Sequence, residues 1–301
     1  MKLLFVVNPI SGGVNKKPFM AKAIALCEKY NLAYHIFKTT GKNDKEKLQR
    51  LLPEINPDKV VSVGGDGTTL FTGIALLGTD YPMGIIPLGS ANGMATELSV
   101  NPEPLEALKD IIMSEKIAGL DLLKVNNEFY ALHIGDVGIN ARIVDAYSKD
   151  KNRGMVTYAR YFLEELKQLT PFTTRVTANG KETEECVYMA AICNARKFGT
   201  GVPLNRFSNP MDGKFEIVLV TRIDGASLIK AGLARFDEKF LDHESGKVIV
   251  TRQAVLEFDQ PRLLQLDGEV IGKYRQIKVG IIRHAIKFIT QGDNTYLTSC
   301  F

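Results

Sequence analysis

Val60-Val61-Ser62-Val63-Gly64-Gly65-Asp66-Gly67-Thr68 is the stretch that decides the fold. Its apolar, β-branched start reads as a strand buried on both faces, as a parallel sheet requires. The strand stops at three glycines in four positions, where the backbone can turn sharply and approach a ligand with no Cβ in the way. A helix beginning there offers free N–H groups and the positive end of its dipole, a setting that suits phosphate. Asp66 sits inside this anion-friendly loop. A carboxylate in that place either caps the turn or holds a divalent cation or its water.

Working outward, Leu3–Val7 is a second continuous apolar run. Met20, Ala23, Ile24, Cys27 and Tyr30 then recur at helical spacing. Tyr34–Phe37 reads as the next strand. Asn43 is expected to cap a helix, with Glu46 three residues on and Leu48, Leu51, Leu52 and Ile55 as its apolar stripe. Met83–Ile86 is a fourth strand, and helical segments run from there to about Ser114. Alternation of this length predicts a Rossmann-like parallel sheet with helices on both faces.

After residue 121 the pattern changes. Leu122–Val125 and Glu128–Ile134 flank Asn126-Asn127, while Thr174–Ala178 and Lys181–Ala191 flank Asn179-Gly180, a pair suited to a type I′ turn. Further strands are expected at Phe215–Val220, Lys247–Thr251, Ala254–Phe258, Leu263–Leu266, Ile277–Ile281 and Ala285–Ile289. Helices are expected at Val156–Leu169 and Ala226–Leu241. The chain thus divides into an α/β domain over residues 1–121 and a mostly antiparallel β-sandwich or flattened barrel over 122–289. The tail from about 290 returns to the first domain, and a site is expected in the cleft between the two.

Composition narrows the function. The 301 residues are 45% hydrophobic and 24% charged, a globular balance, and the net charge of +4 is too small to argue for nucleic acid. No apolar run approaches the roughly 18 residues of a membrane span. The opening Met1–Val7 is short and meets Asn8-Pro9, so a first strand is expected there and not a leader. Cys27, Cys186, Cys193 and Cys300 are few and irregularly spaced, which argues against structural zinc or a disulfide framework and for the cytoplasm.

Two more turns fall on the same sheet edge: Asn8-Pro9-Ile10-Ser11-Gly12-Gly13 and Pro87-Leu88-Gly89-Ser90-Ala91-Asn92. Ligands of open parallel sheets bind outside the carboxyl ends of the strands, so three such turns outweigh one. Neither the P-loop nor the dinucleotide fingerprint occurs. Leu266-Asp267-Gly268-Glu269 either supplies a general base or is a plain hairpin turn. Asn209-Pro210-Met211-Asp212-Gly213-Lys214 has the same two readings: a turn, or a magnesium or calcium site on Asp212 and nearby carbonyls.

In this order, Asn-Pro-x-Ser-Gly-Gly, Gly-Gly-Asp-Gly-Thr, Pro-Leu-Gly-Ser-x-Asn and Asp-Gly-Glu resemble the diacylglycerol kinase catalytic-domain family, which includes the soluble bacterial lipid kinases and the sphingosine and ceramide kinases. The resemblance runs over nearly the whole chain. It implies ATP-dependent phosphorylation of a lipid alcohol with Mg2+. Asn8, Ser11, Gly12, Thr39, Ser90 and Asn92 would lie near the nucleotide, and Gly64, Gly65, Asp66, Gly67, Thr68, Thr69, Leu70 and Phe71 would wrap its phosphates. Asp66 would organise the catalytic Mg2+, joined by Asp121, and Glu269 would take the proton of the lipid hydroxyl. Asp212, with the carbonyls of Asn209 and Lys214, would hold a structural Mg2+.

The chain departs from the usual pattern at Leu70-Phe71, at Gly93 and at Asn140. Two rivals therefore stand beside the lipid kinase: an NAD kinase, which shares the Gly-Gly-Asp-Gly turn, and a nucleotide-binding regulatory module without turnover. Lys149, Lys151, Arg153 and Arg160, near Tyr158, Tyr161 and Phe162, form either a peripheral membrane contact or a solvated face. An exposed sheet edge would favour a homodimer.

Overall fold

The computed structural model describes residues 1–149, 170–197, 204–205, 208–223, 246–291 and 294–297. Two compact units emerge, Met1–Leu122 with Arg283–Phe301, and Leu123–Ile282.

In the first unit the apolar runs become β1 (Lys2–Val7), β3 (Lys59–Gly64) and β4 (Met83–Pro87), with β2 (Ala33–Lys38) at one edge. The order is β4-β3-β1-β2 and every pairing is parallel. Among its described residues are five α-helices: α1 (Lys17–Lys29), α2 (Asp44–Ile55), α3 (Asp66–Ala75), α4 (Gly93–Glu97) and α5 (Pro104–Met113). Leu3, Phe5, Val7, Val61, Val63 and Ile86 of the sheet pack with Phe19, Ala23 and Cys27 of α1 and with Ala107, Leu108 and Ile111 of α5. Burying each large side chain there contributes roughly 1.5–3 kcal/mol. Lys59 fixes the end of α5: its ammonium donates to the carbonyls of Ile111, Ile112 and Ser114 at 2.8, 3.1 and 2.8 Å. A cation there meets carbonyls that have no partner within the helix.

The cap expected at Asn43 is corrected. Asn43 takes a left-handed conformation (φ 52°) and its side chain caps nothing. The next residue, Asp44, reaches back to the preceding loop instead.

In the second unit the strands are β6 (Phe129–Ala131), β7 (Ile134–Gly138), β8 (Phe172–Ala178), β9 (Lys181–Val187), β10 (Met189–Cys193), β11 (Phe215–Val220), β12 (Gly246–Thr251) and β13 (Gln253–Leu266). Two further strands, β5 (Ile117–Val125) and β14 (Glu269–Ile289), belong partly to each unit by chain continuity. The order β12-β11-β10-β7-β13-β14 is antiparallel throughout, with β8 on β13 and β9 on β8. Val137, Ile192, Phe215, Leu256, Leu264 and Ile277 share its main core. Asn179 and Gly180 both have positive φ, as a type I′ turn demands.

Four points differ from the sequence reading. The strands read separately at Ala254–Phe258 and Leu263–Leu266 are one strand, β13, carried past Pro261 by a register shift between Glu257 and Arg262. Likewise Ile277–Ile281 and Ala285–Ile289 are parts of the 21-residue β14. Helix α6 (Ile139–Lys149) was not read from the sequence at all. Residues 283–289, assigned to the second domain, group with the first unit because the end of β14 pairs with β4 through Phe288 and Met83. The helices expected at 156–169 and 226–241 lie outside the described residues, as do Lys151, Arg153 and Arg160 of the basic cluster. No helix among the described residues is long and apolar enough to cross a membrane.

Residues 294–297 of the tail group with the first unit. The Tyr296 hydroxyl donates to buried Glu97 of α4, and Asn294 Nδ2 donates to Thr290 Oγ1 at 2.8 Å. Replacing Lys59 with Met strands three helix-end carbonyls, so K59M is expected to lower unfolding free energy by about 1–3 kcal/mol in urea titration.

Candidate functional site

The three glycine turns meet. A Cβ on Gly12 would come within 2.8 Å of the Gly89 backbone, and one on Gly65 within 3.0 Å of the Gly89 Cα. Gly12 also holds φ at 63°, a conformation that glycine takes with no Cβ penalty. Hydrogen bonds join the turns as well. Leu88 N–H donates to Gly64 O at 2.8 Å, Asn8 N–H to Val63 O at 3.3 Å, and the Ser90 hydroxyl to Gly12 O at 3.4 Å.

Several conspicuous polar side chains are engaged within this framework. Asp66 accepts the N–H groups of Gly93 at 3.0 Å and Met94 at 2.8 Å, tying the β3 turn to the start of α4. Asn92 accepts from Gly89 N–H at 2.7 Å and donates back to Gly89 O at 3.1 Å. Ser11 donates to Asn8 O at 3.4 Å, and Thr69 to Gly65 O at 3.3 Å. Lys16 is buried behind the first turn with its ammonium on Ser11 O, and burial pushes its pKa down.

Beside the turns opens a cavity of about 400 Å³ lined by Asn8, Pro9, Ile10, Thr39, Thr40, Gly41, Asp44, Gly67, Thr68 and Phe71. Half of these were singled out from the sequence: Asn8, Thr39, Gly67, Thr68 and Phe71. A Cβ on Gly67 would meet nothing within 4 Å, so the helix start faces open space. Thr68 is 3% exposed, yet its hydroxyl has no hydrogen-bond partner among the described residues. Leaving such a group unpaired costs about 1–3 kcal/mol, a cost that a ligand oxygen would remove. The arrangement therefore fits a phosphate chain.

Asp44 is the residue that the sequence reading missed. Its carboxylate accepts from Thr40 N–H at 2.7 Å, Thr40 Oγ1 at 2.8 Å and Gly41 N–H at 2.6 Å, shaping the loop after β2 that walls the cavity. Burial pushes its pKa up, but these hydrogen bonds and the nearby Lys47 charge outweigh that and hold it below the ordinary carboxylate value. Its place one residue after Asn43, in a run of polar residues, gave no signal of this.

Asp121 is fully buried on β5, where it accepts the His284 N–H at 2.7 Å. Glu269 opens β14 and is exposed. The Asp-Gly-Glu segment is a two-residue hairpin, with positive φ at Asp267 and Gly268 and Leu266 paired to Glu269. It is far from a plain turn. Asp267 accepts N–H groups from Leu132, His133 and Ile134 at 2.7, 2.9 and 3.1 Å. Gln265 accepts from Gly268 N–H at 2.8 Å and donates to buried Asp136, which also accepts the Ala141 N–H at 2.8 Å.

At the third candidate, Asn209 Oδ1 accepts from Met211 N–H at 3.0 Å and Asp212 Oδ1 from Lys214 N–H at 2.9 Å. Nearby Glu216 is pushed up to about 7, chiefly by burial, although it accepts a hydrogen bond from Ser208. Among the described residues, no group of three His, Cys, Asp or Glu side chains is placed to hold a metal ion. A cation at Asp66 or Asp212 would thus draw its other ligands from carbonyls, water or phosphate, a donor set that suits magnesium.

Glycine turns at parallel strand ends with a cavity beside them fit a phosphate-binding α/β protein. The chain belongs to the lipid-kinase family in which a diacylglycerol kinase catalytic domain, matched by residues 2–125, precedes a YegS C-terminal NAD kinase beta sandwich-like domain, matched by residues 135–289. A Staphylococcus carnosus protein described as a candidate lipid kinase is 30% identical over 72% of each chain. The diacylglycerol kinase of Bacillus subtilis is 22% identical over 93% of each. Among solved structures, a Bacillus anthracis diacylglycerol kinase superposes with TM-score 0.73 at 18% identity, covering 98% of both chains. An NAD kinase from Archaeoglobus fulgidus, solved with ATP, superposes with TM-score 0.57 at 12% identity over 98% of this chain and 95% of that one. These two share the fold.

Two tests follow from the geometry. G89A drives a methyl group into the Gly65 backbone, so it is expected to lose about 1–3 kcal/mol of stability in denaturant titration. For Asp44, the unfolded chain binds its proton first on acidification, so the carboxylate's stabilising effect is whole above about pH 4 and fades as pH falls through the lower folded value. The stability gap between wild type and D44N, measured by unfolding at a series of pH values, is expected to be largest near neutrality and to shrink below pH 4.

Proposed function

We infer that the protein transfers the γ-phosphoryl group of ATP to the hydroxyl of a lipid alcohol such as diacylglycerol. The observation that carries this reading is the unpartnered Thr68 hydroxyl on a cavity walled by two of the three joined turns, in a chain of this family. In-line phosphoryl transfer asks mainly for positioning and for neutralisation of charge. Thr68 and the N–H groups at the start of α3 bind phosphate oxygens, while Asn8, Thr39 and Phe71 border the rest of the nucleotide. Asp66, already oriented by the Gly93 and Met94 N–H groups, is the residue that would hold the catalytic cation, with Asp121 supporting that network. Magnesium, when bound, supplies neutralisation of the phosphate charge. Glu269 accepts the proton of the attacking hydroxyl, assistance typically worth about 10²–10⁴-fold in rate. Asp212 with the carbonyls of Asn209 and Lys214 would hold a second, structural cation.

Purified protein incubated with labelled ATP and a panel of diacylglycerol, sphingosine and phosphatidylglycerol in mixed micelles tests the reading. Label is expected in at least one lipid, and E269Q is expected to slow transfer about 100-fold or more while ATP affinity stays within about twofold. Label confined to NAD in a parallel reaction would overturn it. For the structural cation, magnesium without nucleotide is expected to raise the unfolding temperature of wild type and to leave that of D212A unmoved.

A further inference from the structure

The hairpin carrying Glu269 is latched to a neighbouring segment, and that segment presents a polar atom with nothing to bond. Asp267 Oδ1 accepts the His133 N–H, while the His133 carbonyl accepts the N–H groups of Asn194 at 3.0 Å and Ala195 at 3.2 Å. Leu132 O accepts Asn194 Nδ2 at 2.7 Å. The His133 main chain is therefore fixed from two sides. Pairing Leu266 with Gly135, and Asp267 N–H with Ile134 O at 2.9 Å, brings the hairpin alongside this segment, and the same register carried on sets Gly268 opposite His133. Glycine there adds no side chain of its own, and a Cβ built on Gly268 would meet nothing within 4 Å. His133 as a whole is 5% exposed, and its Nε2 is buried with no hydrogen-bond partner among the described residues.

A buried ring nitrogen left unpaired is costly, and a main chain held by hydrogen bonds on both sides does not shift to satisfy it. Such an atom is explained if its partner arrives with a ligand. The residue two positions after Asp267 is the proposed base, so the ligand nearest at hand is the alcohol on which that base acts.

We propose that His133 is a binding residue for the phosphoryl acceptor, with Nε2 hydrogen-bonding an oxygen of the lipid alcohol beside Glu269. This rests on the kinase reading given above and deepens it by naming the acceptor's contact. A site built to pair a substrate oxygen discriminates strongly against acceptors that lack one, because the imidazole is then left bare. The acceptor class is accordingly an alcohol with a second oxygen within reach of the reacting hydroxyl, as in a glycerol-based lipid. A simple long-chain alcohol offers no such second oxygen.

The experiment compares wild type with H133N and H133Q, using dioctanoylglycerol and dodecanol in mixed micelles at saturating ATP. Asparagine ends short of the Nε2 position, whereas the glutamine amide reaches it. Expected are a fall of about tenfold or more in kcat/KM for dioctanoylglycerol in H133N and recovery of most of it in H133Q. ATP affinity and unfolding temperature are expected to match wild type in both. Dodecanol is expected to be the poorer acceptor for wild type and to be nearly indifferent to the substitution. An active wild type whose dioctanoylglycerol kinetics are shared by H133N would overturn the inference and leave the kinase reading standing. Equal losses in H133N and H133Q would overturn it too, since the reach of the side chain would then not matter. A wild type that binds ATP and phosphorylates no lipid would remove the kinase reading, and this inference with it.

Discussion

Backbone touches backbone where the β1, β3 and β4 turns meet, and glycine is what allows it. Adjacent strands of a sheet lie about 4.8 Å apart, so turns leaving three neighbouring strands at the same end compete for the same space. Side chains at Gly12, Gly65 or Gly89 would push the turns apart. Without them, the strand ends close into one layer bound by main-chain hydrogen bonds, and Asp66 is carried to the first amides of α4. The position of the cavity, the start of α3 and the fastening of α4 all depend on that close approach.

Within this framework, the polar groups that hold shape are distinct from those with bonds to give. Asp66, Asn92, Ser90, Asp267 and Gln265 all have hydrogen-bond partners in the fold. Thr68 Oγ1 in the first unit and His133 Nε2 in the second are both buried without one. Stable proteins rarely leave such atoms unpaired, and the exceptions call for a reason. Each lies next to a segment that sequence reading had already marked: Thr68 within the glycine turn, and His133 latched to the Asp-Gly-Glu hairpin.

Much of this was legible beforehand. Leu3–Val7, Val60–Val63 and Met83–Ile86 announce themselves because a parallel strand covered on both faces has no polar alternation to confuse it. The full length of β14 was hidden for the opposite reason. Its exposed stretches, such as Lys273 and Arg275, resemble loop, and only pairing with β13 holds them extended. Asp44 was invisible because its partners are backbone amides of Thr40 and Gly41, which leave no pattern in a sequence. His133 was passed over for a similar reason: a lone histidine before a strand is unremarkable until its ring is seen buried and its nitrogen unpaired. The turns that mark the family were legible as a set, since four of them in a fixed order constrain one another.

The path of the chain between its ends also bears on how it is made. The first unit takes its last strand from the end of β14 and its clasp, Tyr296 on Glu97, from the C-terminal tail. During synthesis, residues 1–122 leave the ribosome first, with the β4 edge still bare and Glu97 still lacking its phenol. At about 5–20 residues per second, the remaining residues take on the order of ten seconds or more to follow. The nascent α/β half must therefore wait, unfinished, for the translation of everything that lies between its two pieces.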